Sequence, residues 1–302
     1  MKGKALAASL LLILCVAAAA QQPAEVTKYE LRYTPNAELV TLQQVSARVD
    51  EVLMENNPLG IEGWMKGKLQ HRAGTFNEET QTFPMTLELD GIAQEFNGQP
   101  VSGPEQSRIS VELTPLGQLK NPQQPAVENG PMAMFVAGVP IQMLALLCHV
   151  VVFPDHPVAV GERWVTEGQA DISPDMQLPL EVGTELLNVS DEHQATLLSD
   201  MDLRLADFKA PNPLGYGDPV TVRNGRLTIS DLTRVFDLQN GVVLEAEGSV
   251  GFTGQIDLAG FPLTARADLS FSLSPQPQKE KPGQPQQQPA VGAVEGGQAA
   301  GN

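Results

Sequence analysis

Residues 242–258 read Val242-Val243-Leu244-Glu245-Ala246-Glu247-Gly248-Ser249-Val250-Gly251-Phe252-Thr253-Gly254-Gln255-Ile256-Asp257-Leu258. The even positions carry Val242, Leu244, Ala246, Val250, Phe252, Ile256 and Leu258, and from Glu245 onward the odd ones carry only polar residues and glycine. This alternation puts one face of a strand in a core and the other in water. The phase runs through without a slip, so at about 3.4 Å per residue the strand is roughly 55 Å long, far beyond the usual 5 to 6 residues. A strand of that length must bend, and Gly248, Gly251 and Gly254 permit the curvature of a barrel or half-barrel. Gly260-Phe261-Pro262 reads as a turn into a second run, Leu263, Ala265, Ala267, Leu269, Phe271 and Leu273, again with other residues between. The expected product is a long curved hairpin. Its apolar face, represented by Val250, Phe252, Ile256, Leu269 and Phe271, is the candidate groove for an apolar ligand.

The same period extends outward. Val45, Ala47 and Val49; Met85, Leu87 and Leu89; Ile109, Val111 and Leu113; and Met201, Leu203 and Leu205 each alternate with polar neighbours. Asn97-Gly98 and Asn240-Gly241 are two-residue hairpin signals between such runs. The fold class predicted is mainly β, with long curved antiparallel strands in a half-barrel or barrel-like sheet. Two sets of strands, about 26–120 and 162–274, flank an apolar segment, 131–153, and the sequence leaves open whether they form one sheet or two.

That segment contains no Asp, Glu, Lys or Arg, and its centre, Ile141 to Val150, lacks Gly and Pro and suits about three helical turns. A membrane span is the competing reading. Gly138, Pro140, Gln142 and His149 interrupt the run and no basic cluster flanks it, so a buried helix covering the concave side of the sheet is favoured.

Next come Phe153-Pro154-Asp155-His156-Pro157-Val158-Ala159-Val160-Gly161-Glu162-Arg163-Trp164. The prolines end the helix, Gly161 marks a turn, and Trp164 is a large anchor opening the next strand. The order Phe-Pro-x-x-Pro-Val-x-Val-Gly-x-x-Trp resembles a bacterial family of secreted β-rich proteins of unknown function, a resemblance that implies no catalytic residues. In architecture, a curved sheet with an apolar concavity and an internal helix is similar to the lipoprotein-carrier half-barrels of the LolA and LolB type.

The two ends set compartment and boundaries. Lys2 and Lys4, the apolar stretch Leu10 to Val16, and Ala18-Ala19-Ala20 read as a signal peptide, residues 1–20, cleaved before Gln21. Cys15 as a lipid-anchored residue is disfavoured because Leu14, not a small residue, precedes it. Cleavage leaves 17 of the 19 basic residues against 36 acidic ones, a net charge of −19, and Cys148 as a lone cysteine. Such a chain is repelled by phosphate backbones, which argues against nucleic acid, and it holds together by its core rather than by disulfides. The expected location is periplasmic or extracellular in a bacterium, and the sequon Asn188-Val189-Ser190 is then incidental. Residues 275–302, rich in Pro, Gln, Gly and Ala, are expected to form a disordered tail after a β-rich domain, 21–274.

Chemistry is scarce. There is no Gly-x-Ser-x-Gly elbow, phosphate-binding loop, His-Glu-x-x-His or Cys-x-x-Cys, and Gly215-Tyr216-Gly217 lacks the third glycine of a dinucleotide loop. Cys148 beside His149 does not form a nucleophile pair, because helical neighbours point about 100° apart and an apolar setting raises a thiol's pKa. His149, His156, Asp155 and Glu162 match no standard metal spacing. Asp200/Asp202 and Asp171/Asp175 read as solvated acids rather than calcium ligands. Trp64 and Trp164 are expected to be structural anchors. No catalytic, cofactor or metal residue is assigned. Two expectations remain: a carrier of a hydrophobic small molecule or lipid in the sheet's groove, or a structural module that meets another envelope protein. An enzyme ranks third.

Overall fold

The computed structural model describes residues 26–34, 39–100, 106–120, 141–173, 176–205, 207–210, 220–258 and 260–276. The first half contributes β1 (Lys28–Tyr29), β2 (Val40–Met54), β3 (Asn57–Pro58), β4 (Gly63–Ala73), β5 (Phe83–Phe96), β6 (Gln99–Pro100), β7 (Gln106–Leu113) and β8 (Leu119–Lys120). One helix follows among the described residues, α1 (Ile141–His149). The second half contributes β9 (Val158–Ala159), β10 (Arg163–Ser173), β11 (Met176–Val189), β12 (Gln194–Arg204), β13 (Phe208–Ala210), β14 (Val220–Asp237), β15 (Val242–Leu258) and β16 (Phe261–Pro275).

Both halves belong to one 14-stranded sheet, eleven strands in the order β10-β11-β12-β14-β15-β16-β2-β4-β5-β7-β8 and three short ones beside it, β13 on β14, β3 on β2 and β6 on β5, with every pairing antiparallel. The two meanders meet in the middle, where β16 pairs with β2 through Leu273 opposite Val45 and Phe271 opposite Ala47. The sheet is open, and β1 with β9 forms a separate small ladder.

The sheet curls. Phe83 on β5 and Phe236 on β14 lie five strand spacings apart, about 24 Å on a flat sheet. Yet both rings touch Tyr33, at centroid distances of 6.0 and 5.2 Å, so they stand within about 11 Å of each other. Strips of short backbone bonds lace the two edges at this end. Tyr33 N donates to Pro115 O (2.8 Å), Phe153 N to Leu116 O (2.9 Å) and Gly161 N to Leu186 O (2.7 Å).

The alternation in the sequence sorts the side chains as expected. Val45, Ala47, Val49, Met85, Leu87, Leu89, Ile109, Val111, Leu113, Met201 and Leu203 are buried, and their polar neighbours lie on the outer face or only partly covered. Three expectations need correction. The phase of β15 does slip: Phe236 pairs with Val243 while Val235 pairs with Glu245, leaving Leu244 as an extra residue. This bulge puts Val243 in the core and leaves Leu244 partly exposed, because two residues of one strand there face one of its partner. Asn97-Gly98 forms a two-residue hairpin with both residues at positive φ, as type I′ requires. Asn240-Gly241 instead ends a longer loop, since Asp237 pairs with Val242 and the Asp237 carboxylate accepts from Gln239 N and Asn240 N. Finally, Phe261 and Pro262 belong to β16, paired with Leu258 and Asp257, so that turn lies earlier than expected. At the far end Pro275 pairs with Gln43 and Gln276 N donates to Leu42 O (3.0 Å), so the sheet claims both residues from the expected tail. Residues 1–25 and 277–302, with the signal-peptide and tail expectations, lie outside the described residues.

Candidate functional site

The concave face of the sheet is the natural place to look for a site, and α1 sits on it. The helix packs on β15, β16, β5 and β7, and Leu144, Ala145, Leu146, Cys148 and His149 are all buried. Of its described side chains, residues 144–149, only Leu147 is partly exposed, so this part of the helix presents no wet face. None of the described helices is long and apolar enough to cross a membrane.

Polar groups from distant strands fix the helix's C-terminal end, where the last carbonyls lack intrahelical partners. Arg234 of β14 donates from Nη2 to Leu147 O (2.8 Å) and from Nη1 to Ser199 Oγ (2.8 Å). Tyr33 OH donates to His149 O (2.7 Å) and accepts from Val151 N (2.8 Å). Trp164 Nε1 donates to Val152 O (2.9 Å), which makes it the anchor its position suggested. Gln43 of β2 donates to both Val243 O (2.9 Å) and Leu244 O (2.8 Å), turning its own oxygen to His149 Nε2 at 2.9 Å. The β15 bulge is thereby locked from across the sheet.

The resulting cluster carries a positive charge, and among the described residues no carboxylate pairs with it. Arg234 is buried, its Nε has no partner, and burial pulls its pKa down, although a guanidinium stays protonated in proteins. The negative end of the α1 dipole at Leu147 O offsets part of that charge. The His71 ring stacks on His149 at 5.1 Å, and its Nδ1 is also without a partner. Burial lowers His71 to about 4, and burial together with the neighbouring His71 lowers His149 to about 3. Both nitrogens of His149 face oxygens, Ala145 O at 3.0 Å and Gln43 Oε1 at 2.9 Å, but a neutral imidazole has one proton to give. A second proton would satisfy both oxygens, and it would add a charge beside Arg234 and His71. Burial raises the Cys148 thiol to about 12 and the Tyr33 hydroxyl above its usual range, so neither ionises near neutrality. The cluster therefore positions α1 and has no nucleophile.

Val250, Phe252, Leu269 and Phe271 are buried on this concave face, and Ile256 is half-buried against the same core. Val250 and Leu269 are direct cross-strand partners, Gly248 faces Phe271, and Ile256 faces Leu263. A Cβ on Gly248 would press on Phe271 and Leu232, so glycine there is required by close packing as well as bending. The apolar face outruns the helix. His149 contacts Gln43, while Ile256 lies beyond the level of Met54, eleven residues further along β2 and about 37 Å at 3.4 Å per residue. The nine residues of α1 span only about 13.5 Å. At the Met54 level and beyond it the face continues into Leu205 and Ile256, both half-buried, while half-buried Ile92 lies nearer the helix, opposite Gly67 in the row of Val45.

The remaining residues of interest are dispersed. His149 is separated from His156, which sits at the surface between Asp155 (3.2 Å) and Glu162 (3.5 Å). Glu162 is held below the usual carboxylate range, chiefly by Ala159 N donating to it. Asp200 pairs with Arg163 (2.6 Å) and Asp202 with Arg226, and the Arg226 hydrogen bond keeps the Asp202 carboxyl low. The side chains of Asp171 and Asp175, and the Gly215-Tyr216-Gly217 loop, lie outside the described residues. Trp64 is half-buried on the outer face, with Lys66 Nζ 5.6 Å from its ring centroid. Sequence reasoning overlooked Gln43, His71 and Arg234. The available signal was phase, because each falls in register with apolar neighbours, Arg234 between Leu232 and Phe236. No protein-family profile matches the chain, and no curated protein matches it.

Proposed function

We propose that the chain is a non-catalytic binding protein that holds an apolar ligand, a lipid or acyl chain, against the concave face of its half-barrel. The observation that supports this reading is the mismatch in length between helix and sheet. The apolar face extends roughly 37 Å along β2 from the helix end, against about 13.5 Å of helix. Half-buried Leu205 and Ile256 offer an apolar surface at the end remote from α1. An acyl chain laid there would replace water on those side chains at about 25 cal/mol per Å² of apolar area. The acidic exterior keeps such a carrier soluble and dispersed.

Protein purified from its native envelope is extracted with organic solvent and analysed by mass spectrometry, and the emptied protein is titrated with a fluorescent fatty acid. A co-purifying lipid and saturable probe binding that Ile256→Asp or Leu205→Asp abolishes without unfolding are expected. A folded protein that carries no lipid and takes up no probe would overturn the proposal in favour of a structural module of the envelope.

A further inference from the structure

The outer face of the sheet carries a second feature, unrelated to the concave groove. An open cleft of about 720 Å³ crosses the five central strands, bounded by Trp64 and Lys66 on β4, Arg48 on β2, and Asp231 and Glu247 on β14 and β15. Its volume is in the range of small-molecule sites. Between those walls the lining comprises Ser46, Ser249, Ser270 and Ser272 together with Ala47, Gly248 and Phe271, and the short serine side chains leave depth where bulkier residues would fill it. The hydroxyls can both give and accept hydrogen bonds, and Ser46 and Ser272 already meet at 2.8 Å.

The charges are sorted by end. Arg48 is committed to Asp50 at 2.9 Å. Among the described residues Lys66, Asp231 and Glu247 have no ion-pair partner, and all three are exposed. One transverse row of the sheet runs Lys66, Ser46, Ser272, Glu247, each paired with the next. Three strand spacings thus separate Lys66, whose ammonium lies over the Trp64 ring, from the Glu247 carboxylate, about 14 Å. An extended peptide spans about 3.3–3.6 Å per residue, so four residues cover that interval.

We propose that this cleft binds a short peptide of about four residues with free termini, lying across the strands. Its ammonium meets Glu247 and Asp231, and its carboxylate meets Lys66. The serine hydroxyls serve its backbone amides, and the indole of Trp64 floors the carboxylate end.

The chain has two tryptophans, so its nitrogen-15 correlation spectrum has two indole signals, and Trp64→Phe identifies the one in the cleft. The full chain is titrated with tetra-alanine, dialanine, and tetra-alanine acetylated and amidated at its ends. The expected result is a saturable shift of the Trp64 indole alone with tetra-alanine, much weaker binding of dialanine, and none of the blocked peptide. Lys66→Met and Glu247→Gln, both at exposed positions, should each weaken binding about three- to fivefold, the size of an exposed ion pair. Equal binding of free and blocked peptides would overturn the proposal. So would an unmoved Trp64 signal, or a shift by a chito-oligosaccharide with none by any peptide.

Discussion

Leu269→Asp places a carboxyl on the concave face where the sheet is most enclosed. Leu269 is 3% exposed and lies between Val250 on β15 and Val49 on β2. Losing its apolar contacts costs about 2–5 kcal/mol. The cross-strand neighbours of the new carboxyl, Val250 and Val49, offer it no side-chain donor. Holding it protonated at pH 7, three units above its ordinary pKa, costs about a further 4 kcal/mol. Together these rival the about 5–15 kcal/mol by which domains are stable, so the variant should be largely unfolded. The matched control is Thr253→Asp, on the outer face with Arg226 and Arg266 as its cross-strand neighbours. Ser270 would be a poor control, because its hydroxyl donates to Asp50 (3.2 Å) and an aspartate there would add repulsion. Urea unfolding followed by circular dichroism reads both variants, and Thr253→Asp should stay within about 0.5 kcal/mol of the parent. Acid supplies an internal check. The buried carboxyl has a folded pKa above its unfolded one, so its penalty relative to the parent at the same pH should shrink as pH falls towards 4. Equal effects of the two aspartates, or a penalty for Leu269→Asp that ignores pH, would refute the one-faced sheet.

Gly117→Ala should destabilise by about 2 kcal/mol or more in the same assay, since Gly117 is at φ +79° and a Cβ would land on the Val151 carbonyl oxygen and the Tyr33 ring; a neutral result would mean that the lacing of the sheet edges is loose. The buried histidines predict acid sensitivity of a particular sign. His71 and His149 titrate at about 4 and about 3 when folded, against 6.5 unfolded, so stability is complete above pH 6.5 and falls as pH drops from there to about 4, by up to about 1.4 kcal/mol per unit for each. A urea midpoint unchanged between pH 7 and 4.5 would contradict that burial. Removing residues 277–302 should move the melting temperature by less than a few degrees, because this segment is nearly devoid of large apolar side chains, whereas removal from Pro275 should cost more by unpairing Gln43 and Leu42.

Much of the architecture can be read from the chain because parity is local. Whether Leu87 or Glu88 faces inward depends only on its neighbours, and α1 announces itself by an uncharged run that no amphipathic helix could tolerate. Partner choice is not local. Nothing near Val45 says that Leu273, more than two hundred residues away, will be its neighbour, yet that pairing decides that the two halves form one sheet. Bulges escape for a related reason. Leu244 is an ordinary β-former, and its displacement arises from the mismatch between β14 and β15 and from Gln43 binding two consecutive carbonyls. The candidate groove lies in between: its five residues share one face, as parity required, but how far α1 covers that face depends on contacts the sequence does not encode locally.

Gln43, His71 and Arg234 make the converse point. Each occupies an apolar phase, Gln43 with Val45 and Ala47, His71 with Leu69 and Ala73, Arg234 with Leu232 and Phe236. A polar residue that breaks hydrophobic parity inside a strand must either distort the strand or bring its own partners, since leaving it dry and unpaired costs about 1–3 kcal/mol or more. Here the ladders run unbroken at Gln43 and His71, β14 shifts register against β15 on both sides of Arg234, and the three side chains converge on the end of α1 and the β15 bulge. Replacing Arg234 with methionine separates the consequences. If the guanidinium chiefly anchors the helix, the variant should lose protection of the Val150 and Val151 amides against hydrogen exchange while the amides of the β2–β16 ladder keep theirs. A uniform loss across the sheet would instead show that the arginine supports the whole core, and that the helix has no stability of its own to lose.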